Sequence, residues 1–330
     1  MPRIAEAESA VIGLDAVAQL EMLERMWLIR AFEEKVVELF ARGKVVGLLH
    51  LGIGQEGSAV GTCAALRTDD RVFGGHRSHA HAIAKGADVD RLMAELLGRT
   101  TGYCKGKGGS MHLSAPEVGF VTATGIVGAN IQLALGAGLA AVTTGSDLVG
   151  VAFFGDGAGQ SGGFHESLNL AALWNLPVIF VCENNGYAEF SPLSTHTVVG
   201  RLADYARVYS IPSGTVDGGD VLEVRSVAEE AVERARSGGG PTFIEVLTYR
   251  LRGHYEGDPA RYRELAELEE WKAKDPVARF TTTLAETGVV EAEKIDGLEA
   301  AARSRIETAA ELALGAPVAE PDDATTDVYV

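Results

Sequence analysis

Two short polar motifs, each at the end of an apolar run of strand length, constrain this chain more than any other feature. Gly155-Asp156-Gly157 follows the run VAFF, and Asn184-Asn185 follows the run LPVIFVC after one further glutamate. The two motifs are separated by about one strand–helix–strand unit, the connection that joins neighbouring parallel strands. The spacing therefore predicts that both motifs lie at the carboxyl edge of a parallel sheet, where small-molecule ligands bind.

The wider pattern supports this sheet. Between residues 45 and 258 the strand-like runs DLVGVAFF, LPVIFVCE and PTFIEVLTY alternate with helical patterns and glycine-rich turns. This alternation predicts an α/β fold with a doubly wound, mostly parallel sheet and helical extensions at both ends. Residues 1–44 would form an N-terminal extension whose helix, over about 15–42, leads into the domain. Residues 259–330 would supply C-terminal helices and an acidic tail that pack on partner subunits.

Charge and composition exclude several classes of partner. The net charge of −17 would repel a phosphate backbone, so nucleic acid is not an expected partner. No apolar run reaches the roughly 20 residues of a membrane-spanning helix, so no membrane is expected either. The first residues lack a leader-peptide pattern, and Cys63, Cys104 and Cys182 lack zinc-ligand spacing. These features predict reduced cysteines and a cytoplasmic location.

The loop around Asp156 predicts a diphosphate site that contains a metal ion. The backbone N–H groups of Gly157 and Ala158 could face a phosphate without side-chain interference, next to a helix N-terminus. A carboxylate beside a diphosphate would repel it unless a cation such as Mg²⁺ lies between them. The Asn185 amide oxygen and a backbone carbonyl near Tyr187 could complete the metal shell. Taken separately, each motif is most often a simple polar turn or loop, but together, at the ends of two consecutive predicted strands, they favour a metal–diphosphate site.

An earlier glycine loop offers a competing interpretation. Residues 52–57 fit the pattern G-x-G-x-x-G, follow a short apolar run and lead into a helical pattern. Such a loop can bind a nicotinamide dinucleotide, and Asp69 or Asp70 lies at a tolerable distance for a ribose contact. The preceding run is short, however, and the glycines equally suit a turn that begins a helix.

Histidines cluster in one stretch and recur in a second. His76, His79 and His81 suggest a metal site, but Arg77 between them would place a cation against the metal. The stretch therefore favours an anion site. His254 lies in a segment dense with Arg, Asp and Glu, typical either of a solvated charged loop or of a mobile loop that carries a proton donor. The sequence alone leaves both interpretations open.

The second glycine loop and its surroundings resemble a known family. The stretch GDGAGQSGGFHESLNLAALWNLPVIFVCENNGYA is similar to the diphosphate-binding motif of thiamine diphosphate enzymes. The likeness extends over nearly the whole chain, through HLGIGQE, GHRSHAH, GKGGSMH, GIVGAN, VDGGDV, TYRLRGHYEGDPARYR and TDVYV. On these motifs the chain resembles the α subunit of the two-chain first component of 2-oxo acid and acetoin dehydrogenase complexes, in particular the acetoin type.

That resemblance implies two cofactors, thiamine diphosphate and Mg²⁺. Asp156, Asn185 and the backbone oxygen of Tyr187 would bind Mg²⁺, and the amides of Gly157 and Ala158 would hold the diphosphate. The implied fold is the diphosphate-binding domain of the thiamine diphosphate-binding fold. The full set of implied cofactor-binding residues is His76, Arg77, Gly125, Val127, Asp156, Gly157, Ala158, Asn185 and His254.

Within that set, four residues would form the wall around the cofactor. The backbones of Gly125 and Val127 would contact its aminopyrimidine ring. A Tyr-Arg pair of the family reads His76-Arg77 in this chain, a departure shared with acetoin-type members. Arg77 keeps the ability to bind a phosphate with two hydrogen bonds, whereas His76 makes its own contribution dependent on pH.

The catalytic expectation centres on His254, which matches the active-site loop histidine of the family. As an imidazolium it would stabilise the alkoxide of the first adduct and supply protons. His79 is a secondary catalytic candidate from the same wall. Tyr255 stands where many pyruvate-type members have a serine, which counts against pyruvate as the substrate and against kinase control at this position.

The resemblance also implies partners. The glutamate that starts proton loss from the cofactor belongs to a second domain that this sequence lacks, so we expect a β subunit and a heterotetramer of two α and two β chains. The expected reaction is acetoin cleavage through a C2 carbanion, with the acetyl unit passed to lipoamide of a partner acyltransferase. Pyruvate or branched 2-oxo acids, two-carbon transfer to a carrier protein, and a non-catalytic regulatory homologue remain alternatives.

Overall fold

A six-stranded parallel sheet forms the centre of the computed structural model, which describes residues 15–45 and 47–328. In space the strands follow the order β2-β1-β3-β4-β8-β7, and β5 and β6 form a separate two-stranded hairpin. The strands are β1 Arg71–Gly74, β2 Phe120–Ala123, β3 Gly150–Gly155, β4 Val178–Asn184, β5 Tyr187–Ala188, β6 Ser191–Pro192, β7 Ser213–Asp217 and β8 Thr242–Leu247.

Twelve α-helices and five short 3₁₀ helices surround the sheet in the described residues. The α-helices are α1 Ala16–Ala41, α2 Glu56–Ala64, α3 His79–Lys85, α4 Val89–Leu96, α5 Ala129–Thr144, α6 Gly162–Leu173, α7 Ala203–Val208, α8 Val221–Arg236, α9 Leu265–Lys272, α10 Pro276–Thr287, α11 Ala292–Asp296 and α12 Leu298–Gly315. The 3₁₀ helices are Gly109–Met111, Pro116–Val118, Asp156–Gln160, Leu193–Thr195 and Pro321–Thr325.

The sheet is covered on both faces, which confirms the predicted doubly wound α/β class. Val151 and Phe153 of β3 point into one core, shared with α1, α2, α3, α4, α8 and α12, whereas Ala152 and Phe154 point into a second core, shared with α5, α6 and α7. Because successive side chains of a strand face opposite sides, both faces of the central strands must be apolar. This explains why their sequences read as continuous apolar runs rather than as an alternation.

The predicted N-terminal helix is α1, and it runs from Ala16 to Ala41. Asp15 caps it by accepting a hydrogen bond from the N–H of Ala18 at 2.8 Å, and Gly43 follows with φ of +67°, a conformation that glycine adopts without strain. The expectation for the extension before residue 15 lies outside the described residues.

The C-terminal helices pack against their own chain. The helix α12 lies along α1, and the ion pairs Glu34–Arg303 and Lys35–Glu307 link the two. Farther on, Asp327 pairs with Lys105 and Lys107 at 2.9 Å each. The domain boundaries and the packing of this segment on partner subunits stay predictions. Among the described residues, no helix is long and apolar enough to cross a membrane.

Strand register places the two polar motifs side by side. The strands β3 and β4 run parallel, and Gly155 of β3 lies opposite Glu183 of β4. Asp156 and Asn185 therefore leave the same edge of the sheet on neighbouring strands, as the sequence spacing predicts. The next helix, α6, begins at Gly162 with Ser161 as its cap, close to the predicted start.

Candidate active site

A cavity of about 550 Å³ opens at the carboxyl ends of β3 and β4. Its walls come from the loops after β1, β2, β3, β4 and β8, so it lies at the edge of the sheet where the sequence places a ligand site. All but one of the predicted site residues line it; these are His76, Arg77, Gly125, Val127, Asp156, Gly157, Ala158, Asn185, Tyr187 and His254.

Asp156 presents a buried carboxylate to this cavity. The residue is 1% exposed, and neither carboxylate oxygen has a hydrogen-bond partner of good geometry among the described residues. Burial raises the pKa of Asp156, an effect that its own backbone N–H and the charge of His196, at 3.6 Å, only partly offset. A buried, unpaired carboxylate is costly, so this arrangement fits a residue whose partner is a cation.

Oxygen atoms from the neighbouring strand lie beside it. Asn185 is buried, donates weakly to Gln55 Oε1 at 3.4 Å and accepts from the Tyr187 N–H at 3.3 Å. The Tyr187 side chain turns away and donates to Glu267 at 2.7 Å. Carboxylate, amide and carbonyl oxygens are the ligands that Mg²⁺ prefers, so the donor set fits the metal implied by the resemblance.

Backbone rather than side chains forms the floor beside Asp156. A Cβ added to Gly157 would lie 2.9 Å from the Cβ of Ala188, closer than side chains pack. Ala158 lines the cavity at 2% exposure, so no large side chain covers the backbone here. This is the cradle geometry that suits phosphate oxygens.

The segment after β2 forms another wall. Gly125 and Val127 line the cavity, and Val127 is 59% exposed. Gly128 follows with φ of +83° and begins α5 without a side-chain cap. The first N–H groups of this helix therefore add positive potential near the cavity.

Two buried arginines supply the cationic side. Arg77 donates to the carbonyl oxygens of Leu51 at 2.5 Å and His254 at 3.0 Å. Arg250, 2% exposed, donates to His254 Nδ1 at 2.8 Å and to the Glu189 carbonyl at 2.9 Å. Burial, followed by the nearby charge of Arg250, lowers the pKa of Arg77 to about 9, and burial also lowers the pKa of Arg250. Their unbalanced charge favours an anionic ligand.

These surroundings keep three histidines neutral. Burial, followed by the charge of Arg77, lowers the pKa of His76 to about 2, that of His50 to about 3 and that of His254 to about 4. Because a guanidinium can only donate, His254 Nδ1 accepts from Arg250 and the neutral ring carries its hydrogen on Nε2. In the protein alone His254 is therefore neutral, whereas the resemblance predicts an imidazolium at this position.

The histidines near β1 do not act as one cluster. His79 is fully buried, with Nδ1 2.9 Å from Glu33 and Nε2 2.9 Å from Ser110, and it is not among the residues that line the cavity. His81 lines the cavity and bonds Glu183 at 3.0 Å. These contacts separate the three rings that the sequence placed together, and the catalytic assignment of His79 stays a prediction.

The earlier glycine loop has another role. Residues 45–51, which precede it, form no strand in the described part of the chain. The N–H of Gly52 donates to Glu33 at 2.8 Å and that of Gly54 to Glu56 at 2.9 Å. A Cβ on Gly57 would lie 2.2 Å from the Gly218 carbonyl oxygen. This loop binds internal carboxylates and packs against backbone, so it lacks the context of a dinucleotide site.

Sequence reasoning missed several residues of the cavity wall, three of them polar side chains that bear on the chemistry. His50, Arg250 and Glu183 lie on separate segments and face the same space. Arg250 stands four residues before His254, a spacing that could have drawn attention to it. Nothing in the local pattern of His50 or Glu183 distinguishes either from a structural residue.

Comparison with known proteins gives a consistent result. Residues 24–322 match the family described as "Dehydrogenase E1 component". The chain is 47% identical over 97% of its length to the α subunit of acetoin:2,6-dichlorophenolindophenol oxidoreductase of Bacillus subtilis, covering 96% of that protein. It is 44% identical to the corresponding subunit of Cupriavidus necator, with 99% and 98% covered. It is 40% identical to the pyruvate dehydrogenase E1 component subunit α of Rhizobium meliloti, with 94% and 90% covered.

Proposed function

The chain belongs to the dehydrogenase E1 component family of thiamine diphosphate-dependent oxidoreductases, and on that premise we propose that it is the α subunit of an acetoin-cleaving enzyme. One observation carries the site assignment: the buried carboxylate of Asp156, which has no hydrogen-bond partner among the described residues, lies beside Asn185 in the cavity. The choice of acetoin rests on the two relatives named for acetoin oxidation, at 47% and 44% identity.

In the proposed site, three groups of residues would bind three different parts of the cofactor and its metal ion. Asp156, Asn185 and the Tyr187 carbonyl would bind Mg²⁺, which bridges the diphosphate to the protein. The amides of Gly157 and Ala158, with the side chains of His76 and Arg77, would hold the diphosphate. The backbones of Gly125 and Val127 would position the aminopyrimidine ring. When bound, thiamine diphosphate supplies a carbanion that attacks a carbonyl and then an electron sink.

His254 is the proposed proton donor. Its Nε2–H points away from the nitrogen that Arg250 occupies, so it can donate to a developing alkoxide. A bound diphosphate would offset the charges of Arg77 and Arg250, which lower the pKa of this ring. Cofactor binding would therefore raise the pKa of His254 towards neutrality, where a general acid works best.

The exposed apolar side chains of α5 and of the turn before it suit contact with a β subunit. Alongside the cavity wall, α5 and the turn before it expose large apolar side chains: Ile126 at 72%, Val127 at 59%, Leu133 at 44%, Leu139 at 42% and Val142 at 53%. Large apolar side chains exposed in this number on one helix and its preceding turn are typical of a protein–protein interface. We assign it to a β subunit that completes the active site in a heterotetramer, which would then transfer the acetyl unit to a lipoyl-bearing acyltransferase.

Similarity to a second kind of enzyme and the state of the cysteines add a second candidate substrate and a proposed location. The 40% identity to a pyruvate dehydrogenase subunit makes pyruvate, or a branched 2-oxo acid, the second candidate substrate. The three cysteines are unpaired, which suits a reducing compartment, and we propose the cytoplasm.

The test is an isolation of the tagged chain from its own cells together with its β subunit. The complex is assayed for reduction of 2,6-dichlorophenolindophenol with acetoin and with pyruvate, with and without thiamine diphosphate and Mg²⁺. We expect cofactor-dependent activity that is higher with acetoin. Higher activity with pyruvate would move the protein to the second candidate. Activity that ignores both cofactors would overturn the site assignment.

A further inference from the structure

Three imidazoles from distant parts of the sequence converge on one wall of the cavity. The ring centroids of His50 and His76 are 4.6 Å apart, those of His50 and His254 are 5.0 Å apart, and those of His76 and His254 are 5.6 Å apart. One ring nitrogen of each lies within 4.8 Å of one nitrogen of both others. Movements of about 1 Å would bring these nitrogens to the separations of a metal shell, whose Zn–N distances are about 2.0–2.1 Å.

The rings are in a state to act as ligands. Burial and the neighbouring guanidiniums keep all three neutral at neutral pH, which leaves a lone pair on each. His50 is 5% exposed, and its Nδ1 has no hydrogen-bond partner among the described residues. Of the three rings, His254 is the least favourable metal ligand, because Arg250 already donates a hydrogen bond to its Nδ1. A metal on either nitrogen of this ring therefore displaces Arg250, because a hydrogen moved to Nδ1 would face the N–H donor of that guanidinium.

The donor chemistry selects a metal class different from Mg²⁺. Imidazole nitrogens bind Zn²⁺, Co²⁺, Ni²⁺ or Cu²⁺, whereas Mg²⁺ prefers oxygen ligands such as those of Asp156 and Asn185. The charges of Arg77 and Arg250 oppose a bare dication. An anion or hydroxide in the fourth position, which would face the cavity, reduces that repulsion.

We propose that His50, His76 and His254 form a second cation site, selective for a borderline transition-metal dication such as Zn²⁺, whose occupancy excludes the diphosphate cofactor. Metal binding follows from the geometry of the three rings. The competition rests on the proposed function, because His76 and His254 line the space assigned there to the diphosphate. Such an ion would act as an inhibitor and would leave the oxygen site available to Mg²⁺.

Metal binding is tested with Co²⁺ alone as a spectroscopic probe. The full chain is stripped with chelator, supplied with excess Mg²⁺ and titrated with Co²⁺, whose visible absorption reports imidazole ligation. We expect one Co²⁺ per chain. His76→Tyr should weaken binding by at least about 100-fold, because loss of an outer-shell partner alone costs 10–100-fold. The control His165→Gln, whose ring bonds Tyr209 at 3.1 Å outside the cavity, should bind as wild type.

The same titration discriminates between the two sites. Co²⁺ binding that survives His76→Tyr but is lost in Asp156→Asn would overturn the three-histidine site. Loss of Co²⁺ binding in both of these variants would overturn it as well. Should His76→Tyr fail to fold, as judged by circular dichroism, His50→Asn removes a second ligand and is expected to give the same loss.

Competition is tested on the assembled α–β enzyme with Zn²⁺. The apparent Kd of thiamine diphosphate should rise with Zn²⁺ in wild type and should stay constant in His76→Tyr, whatever the starting affinity of that variant. Independent binding of Zn²⁺ and cofactor in wild type would overturn the exclusion and would also contradict the placement of the diphosphate. Absence of a metal site would leave that placement intact, so the two failures are distinguishable.

Discussion

Two glycine loops in this chain each bury a carboxylate whose pKa is raised by burial, but the two carboxylates have different partners. In the first, residues 52–57, the carboxylate of Glu56 is buried at 0% exposure, accepts from Arg30 at 2.6 Å and also binds the N–H of Gly54. In the second, residues 155–159, the carboxylate of Asp156 is almost equally buried but lacks such partners within the described structure.

The partners of the buried carboxylate distinguish the structural loop from the binding loop. Both loops contain glycines and a buried acid, so composition cannot separate them. Removing a carboxylate that the fold already pairs leaves its partner uncompensated, whereas a buried carboxylate without hydrogen-bond partners lowers stability and is retained for a ligand. Substitutions in the first loop should therefore impair folding, and substitutions in the second should impair binding.

The largest expected effect is on stability in the first loop. Glu56→Gln removes the charge that Arg30 contacts and leaves a mostly buried guanidinium with Asp275 as its remaining ionic partner. We expect the free energy of unfolding to fall by about 3–5 kcal/mol, the usual cost of breaking a buried ion pair. Urea unfolding followed by circular dichroism measures it. A loss below about 1 kcal/mol would contradict the structural role of this loop.

The corresponding substitution in the second loop, Asp156→Asn, should act on binding. Loss of the metal-bridging charge should weaken thiamine diphosphate binding to the α–β enzyme in Mg²⁺ by about 100-fold or more. The free energy of unfolding should stay within about 0.5 kcal/mol of wild type or rise, because a buried unpaired charge is removed. Calorimetric titration measures the first quantity. Affinity that is unchanged would show that Asp156 bridges no metal.

The substitution His254→Ala tests the role of the cavity wall separately from the role of the loop that contains Asp156. Turnover with acetoin should fall by about 100-fold, the usual contribution of a positioned proton donor. Cofactor affinity should change only a few-fold, in contrast to Asp156→Asn. Steady-state kinetics and cofactor titration on the same preparation give both values. Unchanged turnover would remove His254 from the mechanism.

A smaller effect comes from adding one methyl group to each loop. The new Cβ in Gly157→Ala meets the Ala188 Cβ at 2.9 Å, so we expect cofactor affinity to fall by about 10-fold with a stability loss of roughly 1 kcal/mol. In Gly57→Ala it meets a backbone carbonyl at 2.2 Å, and the stability loss should exceed that of the partner variant. Equal losses of stability in the two variants would break the comparison.

The smallest effect of a single residue is on the dependence of stability on pH. The pKa values of His50, His76 and His254 are lowered in the folded chain, so the unfolded chain takes up protons first as the pH falls below about 6.5. The free energy of unfolding should therefore fall between pH 7 and pH 5, by roughly 1 kcal/mol per imidazole after allowing for partial exposure. In His50→Gln the fall should be smaller, as measured by thermal unfolding across this range. An identical slope would show that burial of this ring does not control acid stability.

Most of the fold and half of the site follow from the sequence for a shared reason. The strands β3, β4 and β8 are long apolar runs, so their type could be predicted, and the ends of β3 and β4 locate Asp156 and Asn185. The strand β1 spans only four residues, Arg71–Gly74, too few to give a pattern. His50 and Arg250 reach the cavity through contacts between distant segments, and such contacts leave no periodic signal in either segment.

The packing of α12 along α1 has a consequence for synthesis of the chain. The apolar side of α1, with Met26, Ile29 and Phe32 fully buried, is shared with Ile306 and Ala309 of the last α-helix described. A growing chain therefore emerges from the ribosome with this surface uncovered until almost all of the protein has been made. We expect nascent α1 to need a chaperone or early contact with other helices, and chains truncated before α12 to aggregate rather than accumulate as folded fragments.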